Sequence, residues 1–388
     1  MNFDLTQDQK NLQESVREWA QSELAPIAYE LDKEGKFPTE LYLKMNRDIG
    51  VASIPFKEEH GGLGLGTVEM SLAIEELARA DQTFALTTMV AVATGLTLQA
   101  FGSDAQKKTY LPDIVAGRAV GSIAGTEPQA GSWTAGFTTR AKRVDGDKWS
   151  ISGEKAFITN SGTDITSYNL VAAITTPPEE ARSKMSLFLV PRGTPGVEIG
   201  KSYDKLGWRS SDTRPIYLDN AIVGDDAIVG NEGDGRYIVH KTYQYARCYL
   251  AACALGLSQA CLDHSVAYAQ DRKAFGRTLG GLQMVQKMIA DMAVKVETSR
   301  LLARQAAAKA DAGTASLKEL AMAKYYCCET SSEVADLAVQ VHGGFGFMND
   351  CPVSRYLRDT RITRIGDGSS QIQTMIIARE LGLEVDFT

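Results

Sequence analysis

Gln340-Val341-His342-Gly343-Gly344-Phe345-Gly346-Phe347 closes a long apolar helical run, Ser316 to Val341, with three glycines in four residues. Glycines packed this closely end a helix and let backbone come near a phosphate-bearing ligand. A plain helix-ending turn would need neither Gln340 before it nor Asp350, Arg355 and Asp359 after it. The helical period also holds on both sides, over Ala251 to Gln270, Gln283 to Ala312 and Gln371 to Leu383. These segments are apolar on wide faces, which predicts a bundle that also buries surface against another subunit.

Further upstream the texture changes. Between about 121 and 232, short β-branched or alternating runs (Trp149-Ser150-Ile151, Ser186 to Val190, Pro215 to Leu218) alternate with Gly, Pro, Asp and Asn. That pattern predicts a small β domain, sandwich or barrel. Residues 1 to about 120 read as helical: Leu12, Val16, Trp19 and Ala20 recur at helical spacing. A turn at His60-Gly61-Gly62-Leu63-Gly64 precedes a long apolar stretch from Met70 to Phe101. The expected class is α+β, with domains at 1–120, 121–232 and 233–388.

Composition narrows the function. The chain has 388 residues, 44% hydrophobic and 23% charged, with a net charge of −7. That balance is globular, and without a Lys/Arg cluster it argues against nucleic acid. Met1-Asn2-Phe3-Asp4-Leu5 has neither signal-peptide nor transit-peptide layout, and no apolar run reads as a membrane span. A cytoplasmic protein is expected. The six cysteines form no Cys-x-x-Cys pair and read as buried thiols. The four histidines lack His-x-x-x-His spacing, so no metal is expected.

Three further segments carry groups suited to a cofactor. In Ala124-Gly125-Thr126-Glu127-Pro128-Gln129-Ala130-Gly131-Ser132, hydroxyls and backbone amides suit a polar ring edge or a phosphate. In Lys155-Ala156-Phe157-Ile158-Thr159-Asn160 an aromatic beside a hydroxyl could cover a flat ring. In Arg272-Lys273-Ala274-Phe275-Gly276-Arg277, followed by Gln283, a planar guanidinium suits a diphosphate, with Gly276 read as the end of one helix before the next. Each segment alone reads equally well as an ordinary loop, strand end or helical hairpin.

Together with the glycine cluster, these segments resemble the FAD-dependent acyl-CoA dehydrogenases over essentially the whole chain. The resemblance implies an N-terminal helical domain, a middle β domain and a C-terminal four-helix bundle. FAD would meet Thr126, Phe157, Thr159, Ser369 and Gln371. Arg272, Phe275 and Gln283 would hold the FAD pyrophosphate and adenine across a subunit interface, with Gln340, Gly343 and Gly344 touching the FAD of the neighbouring subunit. Ser132, Gln244, Arg247 and Gly368 would bind the acyl-CoA. A homotetramer passing electrons to an electron-transfer flavoprotein is also implied.

Asp367 lies in Arg364-Ile365-Gly366-Asp367-Gly368-Ser369-Ser370-Gln371-Ile372-Gln373. An isolated Gly-Asp-Gly reads as a solvated turn. In most of the family this segment instead reads Ile-Tyr-Glu-Gly-Thr, so by resemblance Asp367 takes the place of the catalytic glutamate and Gly366 that of a tyrosine. The alternative base of some members would fall at Ala246, before Arg247, and is absent. Aspartate is one methylene shorter, withdrawing the carboxylate by roughly 1.5 Å. With Gly366 beside it, this points to a branched, cyclic or otherwise bulky acyl group, or to an altered site of proton removal. Two departures stand nearby: Phe157 replaces the usual tryptophan, and Trp133 replaces an aspartate near the CoA entrance. The run Leu86, Thr87, Met89, Val90 and Val92 carries no charge, which argues against a dicarboxylyl substrate. Competing readings are a nitroalkane-type oxidase, an enoyl-CoA reductase and a non-catalytic FAD-binding scaffold.

Overall fold

The computed structural model describes residues 4–176 and 183–385. Met1 to Phe3, from which the absence of a leader was partly read, lie outside the described residues. The N-terminal part holds α1 (Gln7–Trp19), α2 (Ala28–Glu34), α3 (Thr39–Ile49), α4 (Thr67–Ala80), α5 (Gln82–Phe101) and α6 (Asp104–Val115). Reciprocal caps start two of them: Thr6 with Gln9 at α1 and Ser103 with Gln106 at α6. Each satisfies two backbone N–H groups that the first turn leaves unpaired.

α5 corrects one expectation. Its twenty residues are long and apolar enough, by length and composition, to cross a membrane. Most of it is buried against protein, as suits a core helix that is apolar all round.

The β part contains β1 (Val120–Ala124), β2 (Arg140–Val144), β3 (Lys148–Thr159), β4 (Thr166–Ile174), β5 (Met185–Pro191), β6 (Val197–Ile199), β7 (Thr213–Gly224) and β8 (Ile228–Val229). They form one eight-stranded sheet in the order β6-β7-β3-β2-β4-β5-β8, with β1 parallel to β4. Trp149, Ile151, Phe188, Val190, Ile216 and Val223 fill its core. The pairing of β3 with β7 slips between Lys155 and Ile158. At this bulge Phe157 takes a left-handed φ of 61° and its ring is turned outward, 63% exposed.

The C-terminal part comprises α7 (Gly235–Asp271), β9 (Lys273–Ala274), β10 (Arg277–Thr278), α8 (Gln283–Asp311), α9 (Leu317–His342), α10 (Pro352–Thr360) and α11 (Ser370–Glu380). α7, α8, α9 and α11 pack on one another as the bundle. Gly276 is not a helix end. α7 stops at Asp271, and Phe275 (φ 51°) and Gly276 (φ 75°) form the tip of the small β9–β10 hairpin. Two successive left-handed residues are what a two-residue hairpin turn requires.

The helices at both ends of the chain share one core, from Trp19, Tyr42 and Phe84 to Tyr249, Leu255 and Tyr356. Ion pairs also tie them: the half-buried Arg300 with Glu75 and the buried Arg355 with Asp81. Such pairs fix geometry more than they add stability, because desolvation offsets their attraction. Arg355 and Asp359, noted for their spacing after the glycine cluster, thus serve packing. Asp359 accepts a hydrogen bond from the Trp208 N–H at 2.7 Å, holding a β-part loop to α10. All six cysteines are buried and free.

Candidate active site

Asp367 sits in a tight turn between the 3₁₀ turn Arg361–Arg364 and α11. Asp367 (φ 52°) and Gly368 (φ 87°) are both left-handed. Aspartate is one of the few non-glycine residues that adopt this conformation at modest cost. The Gly368 carbonyl accepts two hydrogen bonds, from Lys324 Nζ at 2.8 Å and from Gln373 Nε2 at 2.9 Å. Ser369 then caps α11 by accepting from the Ile372 N–H. The turn is therefore pinned from α9 and from α11.

The electrostatics follow from burial. Lys324 is fully buried and Arg247 is 4% exposed. Burial pushes the Asp367 carboxyl above its ordinary range, while Lys324 and then Arg247 pull it back down. Burial lowers the Arg247 guanidinium, and Asp367 and Tyr243 counter that. Tyr243 and Arg247, four apart on α7, share a helix face. A Cβ placed on Gly125 would meet the Tyr243 hydroxyl at 3.8 Å, so this face also adjoins the loop after β1.

That loop is organised by Glu127, which is 2% exposed. Its carboxylate accepts from Lys155 Nζ at 2.8 Å, the Thr138 N–H at 2.6 Å, the Thr139 N–H at 3.0 Å and Gln129 Nε2 at 2.7 Å. Lys155 also donates to the Gly125 carbonyl, and the Ala156 N–H donates to the Thr126 carbonyl. Thr126 is thereby fastened beside Phe157. Burial opposes ionisation of Glu127, but Lys155 and the backbone donors outweigh it and hold the carboxyl at about 2. Lys155 is brought down to about 8, because burial outweighs its partner there.

Thr159 is half-buried next to Asn160, whose side chain donates to the Thr87 carbonyl on α5. Phe157 packs its ring against Tyr203, centroids 5.2 Å apart. Ser132 and Trp133 are exposed; the indole lies over Gly136, folded onto its own loop. Gln244 is half-buried on α7, and Gln371 is exposed on α11.

The remaining predicted residues gather at one end of the bundle. Ala269, Val285 and Val341 form a small core there, joining the ends of α7 and α9 to the start of α8. Around it stand Arg272, Phe275, Gln283, Gln340, Gly343 and Gly344, all exposed. No hydrogen bond or ion pair among the described residues joins this group to the Asp367 group.

These residues fit a bound dinucleotide. Gly343 needs its φ of 60°, and Gly346 lies where a Cβ would strike the Val339 carbonyl at 2.7 Å. Gly344 has ordinary helical backbone and open space around it, so nothing within the chain requires glycine there. Its bareness suits an outside group. Arg272 makes no side-chain hydrogen bond or ion pair among the described residues, leaving its donors free. The exposed Phe157 ring supplies a flat apolar face, and Thr126 and Thr159 supply hydroxyls.

Sequence reasoning missed Glu127, Lys155, Lys324 and Tyr243 as organisers of the site. Lys324 left a signal: it occupies the buried stripe of α9 with Leu320, Ala321, Cys327 and Cys328, where a lysine needs a partner.

Comparison with known proteins agrees along the whole chain. Residues 6–118, 122–221 and 233–382 match the acyl-CoA dehydrogenase N-terminal, middle and C-terminal domain families. A probable acyl-CoA dehydrogenase of Bacillus subtilis, YngJ, is 38% identical over 382 residues, covering 98% of this chain and all of that protein. Acryloyl-CoA reductase (NADH) of Anaerotignum propionicum is 36% identical over 383 residues, covering 98% and 96%. The structure of butyryl-CoA dehydrogenase from Megasphaera elsdenii superposes with a TM-score of 0.94 at 32% identity, covering 98% of this chain and 100% of that one. The chain belongs to the acyl-CoA dehydrogenases, flavoprotein oxidoreductases that act on CH–CH groups.

Proposed function

We propose that this protein oxidises the α,β-bond of a bulky, branched or cyclic acyl-CoA to the 2-enoyl-CoA, with Asp367 as the base. The observation that carries the reading is the placement of Asp367. Its charge acts on both Tyr243 and Arg247, and it is held in a turn pinned by the buried Lys324.

A thioester α-proton is too weakly acidic for a free carboxylate, so the base must be desolvated and its carbonyl neighbour polarised. Burial raises Asp367 towards the working range of a general base, and Lys324 and Arg247 keep it ionisable. Its carboxylate takes the α-proton, and the N–H groups of the same turn stand ready to polarise the thioester oxygen. FAD, when bound by Thr126, Phe157, Thr159, Ser369 and Gln371, supplies the acceptor for the β-hydrogen. Phe157, turned out by its bulge, presents an aromatic face to that ring. Arg272, Phe275 and Gln283, with the partner-reaching Gln340, Gly343 and Gly344, hold the dinucleotide end.

That division of the cofactor site supports a homotetramer. Phe275 is 88% and Phe347 80% exposed at this end of the bundle, surfaces that an adjoining subunit would cover. Electrons would leave to an electron-transfer flavoprotein. A second reading, reduction of an enoyl-CoA by the same residues in reverse, is favoured by the acryloyl-CoA reductase relative.

Anaerobic bleaching of the bound flavin by straight-chain and cyclic acyl-CoA substrates tests the proposal. The wild type should bleach faster with the cyclic substrate, Asp367→Asn should lose at least about a thousandfold, and Asp367→Glu should shift preference to the straight chain. Bleaching only by a nitroalkane, or full activity in Asp367→Asn, would overturn it.

A further inference from the structure

Two glycines and two polar side chains surround the base. Gly125 and Gly366 each have room for a side chain: a Cβ would make only ordinary van der Waals contact, with the Tyr243 hydroxyl at 3.8 Å and with the Ile362 carbonyl at 3.6 Å. Neither glycine has a left-handed φ, so backbone geometry does not demand them. Beside Gly125, on α7, stands the half-buried Tyr243 phenol, which makes no hydrogen bond among the described residues. One helical turn on, the Arg247 guanidinium is 4% exposed, and its Nε–H is buried without a partner. A buried cationic donor without a partner is costly, and the half-buried phenol next to it keeps a free O–H for a ligand. The charge of Asp367 alone does not satisfy either set of donors.

An apolar branch or ring would fill the space but leave both donors unpaired. A polar substituent would fill it and satisfy them. We propose that Tyr243, with Arg247 behind it, is a specificity-determining residue that selects an acyl group carrying a hydrogen-bond acceptor, such as a hydroxyl, at the α or β carbon. This rests on the acyl-CoA reading above and narrows its bulky substituent to a polar one. The phenol donates to the substituent oxygen, and Asp367 is left free to take the α-proton.

The test uses the flavin-loaded protein and unreactive CoA thioethers, so that no turnover is needed. Binding of S-butyl-CoA, S-(2-hydroxybutyl)-CoA and S-(3-hydroxybutyl)-CoA is measured by calorimetry on the wild type and on Tyr243→Phe. One net hydrogen bond to a buried donor gives roughly a tenfold preference. The wild type should therefore bind one hydroxybutyl thioether about tenfold tighter than S-butyl-CoA. Tyr243→Phe should bring that ratio to within about twofold. A wild-type preference for S-butyl-CoA, an unchanged ratio in Tyr243→Phe, or an equal loss for all three thioethers would overturn the inference while sparing the acyl-CoA reading. Binding of none of them would overturn both.

Discussion

Replacing Lys324 by methionine isolates the residue that pins the base. The ammonium is fully buried and donates to the Gly368 carbonyl at 2.8 Å. A hydrogen bond from a charged donor contributes about 1.5–3 kcal/mol. Methionine keeps most of the stem volume, and Gln373 still donates to the same carbonyl at 2.9 Å, so no acceptor is orphaned. Loss of the burial cost of the cation offsets part of the lost bond. The net destabilisation should stay within about 2 kcal/mol. Activity should suffer more, because the turn carries the reacting carboxylate and a shift of about 1 Å costs roughly a hundredfold. Lys324 also opposes the effect of burial on Asp367. Without it the carboxyl moves further up, and since only the ionised form accepts a proton, activity is lost at higher pH than in the wild type. The assay is kcat/KM against pH beside a urea unfolding curve. Lys324→Met should show a displaced acid limb and a plateau reduced by ten- to a hundredfold, and Lys324→Arg should return the limb towards its original place. A pH profile superimposable on the wild type, with kcat/KM within twofold, would refute the reasoning.

Glu127→Gln should destabilise the fold by about 3–5 kcal/mol, because it leaves Lys155 buried without its anion, and Lys155→Met in the same chain should restore most of this; chemical denaturation of the three variants decides. In the wild type, Glu127 held at about 2 gives stability that is complete above the ordinary carboxylate range and is lost as pH falls from about 4.5 towards 2. A thermal unfolding series in which Glu127→Gln shows the same acid loss as the wild type would refute that assignment. Asp359 is raised to about 7, mainly by burial, so its contribution is present below its unfolded value and fades as pH rises through about 7. Asp359→Asn should therefore flatten the decline in melting temperature between about pH 4 and 7. Gly366→Tyr should fold normally, since a Cβ there meets only the Ile362 carbonyl at 3.6 Å, and should cut kcat/KM for substituted acyl groups more than for unsubstituted ones.

The α, β, α order was legible because hydrophobic period and turn residues agree over long segments. The limits of α8 and α9 fell within a residue or so of the sequence reading. α7 was started too late: Arg236, His240, Lys241, Gln244 and Arg247 interrupt the apolar pattern of its first turns. The β9–β10 hairpin was missed because the left-handed Phe275 carries none of the asparagine or aspartate signals of such a turn. Positions of the candidate site residues could be named from motif resemblance. Their supports could not, since Glu127 with Lys155 and Lys324 with Gly368 meet only through tertiary packing between segments 28 and 44 residues apart.

Backbone strain links these supports to the choice of acid. Seven non-glycine residues among the described ones have positive φ, and they include Phe157, Phe275 and Asp367, each a candidate for ligand contact. Such conformations cost of order 1–3 kcal/mol and persist only where the surroundings over-determine them. For Phe157 the determinant is the slipped β3–β7 pairing, with Tyr203 under the ring; for Asp367 it is the doubly bonded Gly368 carbonyl. Aspartate lowers the cost at 367, since its short polar side chain tolerates the left-handed region better than glutamate. A longer acid would reach further but strain the turn more, and the pins from Lys324 and Gln373 would have to hold it. The short acid thus leaves a relaxed turn and a wider cleft, and the reach it gives up must be recovered by how the substrate is seated. Tyr243 and Arg247, which share a face of α7, are the groups we propose to seat it.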